Sequence, residues 1–279
     1  MIYGPDPYRV VLPTSIMRHS QNWTPDFSKI LERGVKSIRE EAQSKLTALS
    51  EPRDAVYKKP FPEAVVITCN ATTAWSRRYA QCARDLAAKE TNPQRKKELQ
   101  EIAEVCDWVP ENPARTFREA LQAQWWGQMF NRVEQTSSAM GQGRFDQYLW
   151  PYYQKDRAEG QITKESATEL LQCLWLNMVQ CVEIKLNPVA AAGTEGFSKF
   201  EDICLGGQTP EGIDATNELS YLILESTRAL QITTPEPCIR IHANTPDHFL
   251  HSVERTEKGS PSCSTTRWSF PSTSPTARR

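Results

Sequence analysis

The sequence predicts a helix-rich α/β fold, and three observations support this class. Long runs carry apolar residues at steps of three and four, and most of these runs open at a proline or a capping residue. Strand signals are few, and two of them bracket an amphipathic helix, as in a β-α-β unit. We find no internal repeat with a period of about 20 to 50 residues, which argues against a solenoid.

The first half of the chain predicts four helices. Thr24 can cap the first, and Pro25 suits its first helical position. A second helix is expected over roughly residues 63–90, after two closely spaced prolines, and Pro93 opens a third. Residues 114–140 are expected to form the fourth, a tryptophan-containing helix.

The second half adds helices and the strand component. A helix is predicted from Thr163, with apolar residues on one face. Residues 200–205 end at a Gly-Gly pair, and residues 237–242 alternate with a period of two, so both indicate strands. Between them, Asp214 is the expected cap of an amphipathic helix that runs through Leu230.

Composition narrows the function classes. The 279 residues have a formal net charge of −1, which argues against a dedicated nucleic-acid binder. No apolar run reaches the length of a membrane span, and the N-terminal residues lack the pattern of a secretory signal. We therefore expect a soluble, cytoplasmic protein with no nucleic-acid or membrane partner.

The cysteines predict buried thiols rather than a metal centre. The eight cysteines contain no C-x-x-C pair, and the four histidines do not pair with them at ligand spacing. Most lie among apolar neighbours, as Cys173 does, so we expect reduced and buried side chains and no metal.

The densest group of polar and aromatic residues spans 143–153. It contains Arg144, Asp146, Gln147 and Tyr148, just past a predicted helix. Buried charged groups of this kind most often satisfy backbone groups at a helix end. We therefore interpret these four residues as a structural motif.

Three further groups of polar residues could have either a functional or a structural role. Residues 18–22 are polar and could bind a substrate or form a solvated loop. Residues 134–139 could line a cavity or let two helices approach closely. The histidines at 242, 248 and 251 are expected to be exposed around a capped helix start rather than to form a ligand set. No nucleophile triad, P-loop or dinucleotide-binding turn is present.

The C-terminal composition predicts a separate tail. Residues 259–279 contain no Asp or Glu and are rich in Ser, Thr, Pro and Arg, as in a disordered basic tail. Alternatively, the codons of residues 264–271, read one base earlier, can spell Phe-Asn-Asp-Ala-Val-Val-Ile-Pro, which indicates a frameshift. We thus expect an irregular segment at 1–23, a domain at 24–258 and a non-native tail at 259–279.

A family resemblance extends over most of residues 20–258. It rests on several motifs in a fixed order, namely Thr24–Gly34, Arg78–Ala80, Pro113–Gln122, Gly143–Tyr148, Leu205–Gln208 and Asp214–Tyr221. Through these motifs the chain resembles the glycyl radical enzymes of the pyruvate formate-lyase branch, which includes diol dehydratases, choline lyase and arylacetate decarboxylases.

The resemblance implies a fold and a chemistry. It implies the N-terminal part of a ten-stranded barrel wrapped by helices. In intact relatives, an activating enzyme with S-adenosylmethionine and an iron–sulfur cluster installs a radical on a backbone glycine. The radical passes to a cysteine, whose thiyl removes hydrogen from a small-molecule substrate. The resemblance thus implies no directly bound cofactor, an activating enzyme as partner, and homodimers among intact relatives.

Neither radical-bearing loop of the family is present in the 279 residues. We therefore expect a fragment of a glycyl radical enzyme that is inactive alone. The alternatives are one subunit of a split enzyme, or a helical scaffold or binding protein without radical chemistry.

The resemblance also suggests substrate-binding positions. Asn22 stands where diol-dehydratase relatives have a histidine, and Ser138 and Ala139 stand where they have a His-Ser pair. Both departures argue against a glycerol or propanediol pocket. We expect Asn22, Ser137 and Ser138 to line the substrate site, and Arg18 to favour an acidic substrate.

Overall fold

The structure is a computed structural model that describes residues 22–49, 56–134, 139–180, 201–232 and 234–259. Helices account for most of the described residues. In chain order they are α1 (Phe27–Thr47), α2 (Pro60–Lys89), α3 (Pro93–Trp108), α4 (Phe117–Glu134), α5 (Phe145–Tyr148), α6 (Trp150–Ala158), α7 (Lys164–Gln180), α8 (Glu218–Leu230) and α9 (Asp247–Gly259). The strands are β1 (Asn22–Trp23), β2 (Ala139–Met140), β3 (Asp202–Gly206) and β4 (Glu236–Arg240).

The four strands form two parallel two-stranded sheets. β1 pairs with β2, and β3 pairs with β4. A parallel bridge between Gly143 and Ile203 joins the two pairs. It is supported by hydrogen bonds from Gln142 N to Asp202 O (2.7 Å) and from Cys204 N to Gly143 O (2.9 Å). The two sheets are therefore linked just beyond β2, and the parallel pairing of β3 with β4 confirms the predicted β-α-β unit around α8.

Strands β3 and β4 share one buried core with helices α7 and α8. Ile203, Leu205 and Ile239 belong to the same cluster of buried residues as Leu219 and Ile223 of α8. Each such aliphatic side chain stabilises the fold by about 1.5–3 kcal/mol when it leaves water. The strands and the helices therefore contribute to one continuous hydrophobic core.

A glycine fixes the contact between α1 and the end of α3. Gly34 kinks α1 with φ 64° and ψ 160°. The kink lets Val35 N donate to Pro110 O at 2.8 Å and Lys36 N to Glu111 O at 3.0 Å. A Cβ at position 34 would lie 2.5 Å from Glu111 O, so this close approach requires glycine.

Three predicted helix bounds are wrong. The side chain of Asp26, not Thr24, caps α1 and accepts from Lys29 N at 3.4 Å. Asn217, not Asp214, caps α8, because Ser220 completes a capping box with it. The fourth predicted helix, 114–140, is α4 and ends at Glu134, since residues 139–140 pair with β1 as a strand.

The expectation of buried thiols is wrong for two of the described cysteines. Cys69 and Cys106 are buried, whereas Cys82 and Cys173 are exposed. Cys173 faces outward because Leu171, Leu174 and Trp175 form the buried stripe of α7, and position 173 lies on the other side of the helix. None of the described helices is long and apolar enough to cross a membrane.

Candidate functional site

Arg144 connects the β2–α5 turn to the end of β3. Its Nη2 donates to Gly206 O at 2.9 Å and its Nη1 to Gln208 O at 3.0 Å. Burial lowers the pKa of the guanidinium, and the nearby Arg240 acts in the same direction. The two carbonyls that Arg144 binds lie on either side of Gly207, so the planar guanidinium fixes the chain where β3 ends.

Asp146 is fully buried and receives hydrogen bonds from two separate segments. Its Oδ2 accepts from Gly206 N at 2.8 Å and from the Ser220 hydroxyl at 2.5 Å. Its backbone carbonyl accepts from Asn217 Nδ2 at 3.0 Å. Burial raises the pKa of the Asp146 carboxyl, and the donors Gly206 and Ser220 oppose that rise. Asp146 thus links α5, the end of β3 and the start of α8.

Gln147 and Tyr148 complete the segment. Gln147 Nε2 donates to Ala215 O at 2.8 Å. The Tyr148 ring lies 5.6 Å from the Phe145 ring and 6.3 Å from the Phe27 ring, measured between centroids. Burial raises the pKa of the Tyr148 phenol well above its usual value. Gln147 thus contacts the backbone before α8, and Tyr148 contacts aromatic rings of α1 and α5.

His242 is paired rather than exposed, which corrects the sequence expectation. Its Nε2 lies 2.9 Å from Asp214 Oδ1, and its side chain is 9% exposed. His248 stacks on Tyr221, whereas His251 is largely exposed. The pairing arises because the loop before α8 folds back on the residues that follow β4.

A second buried polar cluster lies between α4 and the strands. Gln128 Nε2 donates to Glu201 Oε2 at 2.6 Å, and Glu201 also forms an ion pair with Arg132. Gln124 hydrogen-bonds to Gln142, which in turn donates to Met140 O at 3.1 Å. The cluster ties one face of α4 to β2 and to the start of β3.

Sequence reasoning missed this cluster, although it left a signal. Gln124, Gln128 and Arg132 recur at steps of four along α4, so they share one face. That face continues the buried stripe of a helix rich in Ala and Trp. A polar row in such a position indicates buried partners, but Glu201 lies 73 positions from Gln128 and could not be assigned from spacing.

The predicted substrate residues are only partly within the described chain. Arg18, Ser137 and Ser138 lie outside the described residues, as does most of the polar segment at 18–22. The backbone of Asn22 is described, and it is the β1 partner of Ala139 in β2. The pairing therefore brings the end of the first candidate segment alongside the end of the second.

Comparison with known proteins assigns the family. The model of the pyruvate formate lyase-like family matches residues 13–271. The chain belongs to this family of glycyl radical enzymes. The match includes part of the expected first segment and part of the expected tail, so the bounds 1–23, 24–258 and 259–279 stay predictions. Within the described chain, α9 extends to Gly259.

Members of this family resemble the chain in sequence and in structure. Isethionate sulfite-lyase from Oleidesulfovibrio alaskensis is 50% identical over 252 residues, which are 89% of this chain and 30% of that protein. Trans-4-hydroxy-L-proline dehydratase from Clostridioides difficile is 32% identical over 234 residues, or 82% of this chain and 30% of that protein. The glycerol-bound B12-independent glycerol dehydratase from Clostridium butyricum superposes with a TM-score of 0.80 at 31% identity.

The glycerol dehydratase match covers 85% of this chain and 30% of that chain. The chain therefore spans about 30% of the length of the relatives it matches. The helix-rich fold with short parallel strands is consistent with the N-terminal part of the family's helix-wrapped barrel, as the sequence predicts.

Proposed function

We propose that this chain supplies part of the barrel of a glycyl radical lyase that releases sulfite from a small hydroxyalkyl sulfonate such as isethionate. The observation that carries the proposal is the 50% identity to isethionate sulfite-lyase, against 32% for a dehydratase of the same family. Substrate specificity within a fold resides in particular sites, so the proposal also needs residues suited to a sulfonate.

Arg18 and Asn22 suit such a substrate. A sulfonate is a permanent anion with three acceptor oxygens, and a guanidinium binds such groups through parallel hydrogen bonds. A side-chain amide adds a further donor without a charge of its own. In this proposal the Arg18 guanidinium binds the sulfonate, and the Asn22 amide donates a further hydrogen bond to one of its oxygens. Ser137 and Ser138 line the same site. The pairing of β1 with β2 supports this grouping, because it aligns Asn22 with Ala139.

The radical chemistry resides outside these residues in the proposal. A glycyl radical, installed by an activating enzyme with S-adenosylmethionine and an iron–sulfur cluster, is relayed to a cysteine thiyl that removes hydrogen from the substrate carbon. Sequence outside the 279 residues supplies both groups, so the chain alone does not turn over. We further propose a cytoplasmic location and a homodimeric holoenzyme, as the family resemblance implies.

A segment exchange tests the substrate assignment. Residues 13–258 replace the matched segment of the Oleidesulfovibrio alaskensis enzyme, and the chimera is activated anaerobically. We expect a glycyl radical signal by electron paramagnetic resonance and sulfite release from isethionate. The matched control carries the corresponding segment of the Clostridioides difficile hydroxyproline dehydratase and should release no sulfite. A chimera that carries the radical but releases no sulfite contradicts the proposal.

A further inference from the structure

Two cysteines face each other across the β3–β4 pair. Cys204 and Cys238 are Cα partners in the parallel register of these strands. Adjacent strands lie about 4.8 Å apart, and the Cα atoms of a disulfide usually lie about 4.4–6.8 Å apart. The register thus places the two backbone positions within the range that a disulfide spans.

Both side chains point to the same face of the sheet. Along each strand, buried and half-buried residues alternate: Ile203 and Leu205 are buried and Cys204 is half-buried, while Ile239 is buried and Cys238 is half-buried. Partners in register on adjacent strands project in the same direction. The thiols therefore lie together on the face opposite to Ile203, Leu205 and Ile239, and both cysteines are half-buried rather than fully buried.

The surroundings of Cys204 and Cys238 favour oxidation of the two thiols to a disulfide over attack by either thiol alone. Burial raises the pKa of the Cys204 thiol, and the positive charges of Arg240 and Arg144 only partly oppose that rise. A thiol with a raised pKa is a weak nucleophile near neutral pH. A second thiol held beside it converts the slow second step of oxidation into an intramolecular one, which is strongly favoured by proximity.

We propose that Cys204 and Cys238 form a cross-strand dithiol that closes reversibly to an intramolecular disulfide. The oxidant is a small-molecule disulfide or an equivalent two-electron thiol oxidant. Two S–H bonds break and one S–S bond forms, while two electrons and two protons pass to the oxidant, which leaves as two thiols. The closed form links β3 covalently to β4, two residues before Gly206 and Arg240 on their strands.

The test uses the full chain, fully reduced and then treated with the thiol oxidant diamide at low protein concentration. Diamide accepts the two electrons and two protons at its N=N bond and becomes the hydrazine. After alkylation of the remaining thiols, proteolysis and mass spectrometry should reveal a linked pair of peptides containing Cys204 and Cys238, with a mass lower by two hydrogens. Dithiothreitol should reverse the link. Phenylarsine oxide, which bridges two neighbouring thiols, should protect the same two residues from alkylation.

Variants separate pair chemistry from general thiol reactivity. Cys204→Ser and Cys238→Ser should each abolish the linked peptide, whereas Cys82→Ser and Cys173→Ser, at exposed helix positions, should leave it unchanged. The wild-type measurement stands without the variants, so a misfolded variant does not remove the test. Links that join other cysteines, links between chains, or alkylation of Cys204 and Cys238 despite the arsenical would each overturn the proposal.

Discussion

The Ser220 hydroxyl donates a 2.5 Å hydrogen bond to Asp146 Oδ2 across 74 positions of sequence. The same hydroxyl accepts from Asn217 N at 3.1 Å, as the second half of the capping box of α8. One side chain therefore both caps the start of α8 and fixes this helix to the segment that contains the Gly143–Tyr148 motif.

Removal of that hydroxyl is expected to destabilise the fold. Ser220→Ala leaves the buried carboxylate of Asp146 with one donor fewer and the amide of Asn217 without its acceptor. We expect the free energy of unfolding to fall by about 1–3 kcal/mol, as measured by urea denaturation. Ser252→Ala, which removes a hydroxyl bonded to His248 O on α9, is the control and should cost under about 0.5 kcal/mol. Equal losses for both variants would contradict a special role for Ser220.

The raised pKa of Asp146 predicts a pH dependence of stability. Between the usual value of 3.8 and the higher folded-state pKa, the folded chain keeps a proton that the unfolded chain has released. The contribution of Asp146 to the unfolding free energy is therefore largest below 3.8 and decreases as pH rises through the folded-state pKa. Asp146→Asn removes this titration, so the difference in unfolding free energy between wild type and variant should fall with rising pH. A difference that rises with pH would show that the hydrogen bonds from Gly206 and Ser220 outweigh burial.

Two glycines with similar backbone angles should respond differently to substitution. At Gly34 (φ 64°) an added Cβ would meet backbone atoms of Glu111 and Asn112, whereas at Gly160 (φ 70°) it would meet nothing within 4 Å. Gly160→Ala should cost about 1–2 kcal/mol, from the left-handed conformation alone. Gly34→Ala should cost at least about 2 kcal/mol more, because the contact between α1 and the α3 end must open. Thermal unfolding of the two variants measures the difference, and similar midpoints would refute the steric account.

The buried ion pair predicts a non-additive double mutant. Glu201→Leu alone removes the carboxylate that forms an ion pair with the buried Arg132, and the loss of one member of such a pair costs about 3–5 kcal/mol. Arg132→Met is the second single change, and the double variant Arg132→Met/Glu201→Leu removes both charges and should cost less than the sum of the two single changes. A double-mutant cycle from urea denaturation gives the coupling. Strict additivity would mean that the two side chains do not interact in solution.

Arg18 offers the test of the proposed sulfonate site. In the active chimera described above, Arg18→Gln should raise KM for isethionate by at least about tenfold, because a charge-assisted bidentate contact is lost. Arg33→Gln, at an exposed position paired with Glu41, is the control and should leave KM unchanged. An unchanged KM for Arg18→Gln would exclude Arg18 from substrate binding but would leave the sulfite-lyase assignment intact.

The sequence predicted the elements whose signals are local. The β-α-β unit around α8 follows from the alternation at 237–242 and the Gly-Gly pair after β3. β1 and β2 could not be predicted, because each has two residues and exists only through pairing with the other. Asp214 and Asn217 are both good helix caps by residue type. Asn217 is the cap because Ser220, three positions later, completes a capping box with it. The carboxylate of Asp214 instead hydrogen-bonds to His242.

In the candidate site, too, local sequence indicated some residues, whereas their distant partners could not be predicted. The Gly143–Tyr148 segment was recognisable because its residue types are unusual together. Its partners were not, since Arg144 reaches carbonyls more than 60 positions away. The Gln128–Glu201 contact joins residues 73 positions apart, so it depends on how α4 packs against the strands. Local sequence identifies such residues as buried polar groups but does not name the atoms that satisfy them.

Gly143 has a consequence for how force would pass through the molecule. Its carbonyl holds Cys204 N, and its parallel bridge to Ile203 joins the β1–β2 pair to the β3–β4 pair. A shift of the strand next to Asn22 therefore pulls on the peptide group of the residue that carries one thiol of the proposed dithiol. Ligand occupancy at the first pair of strands and oxidation at the second pair would thus be mechanically coupled through the backbone hydrogen bonds of Gln142 and Gly143.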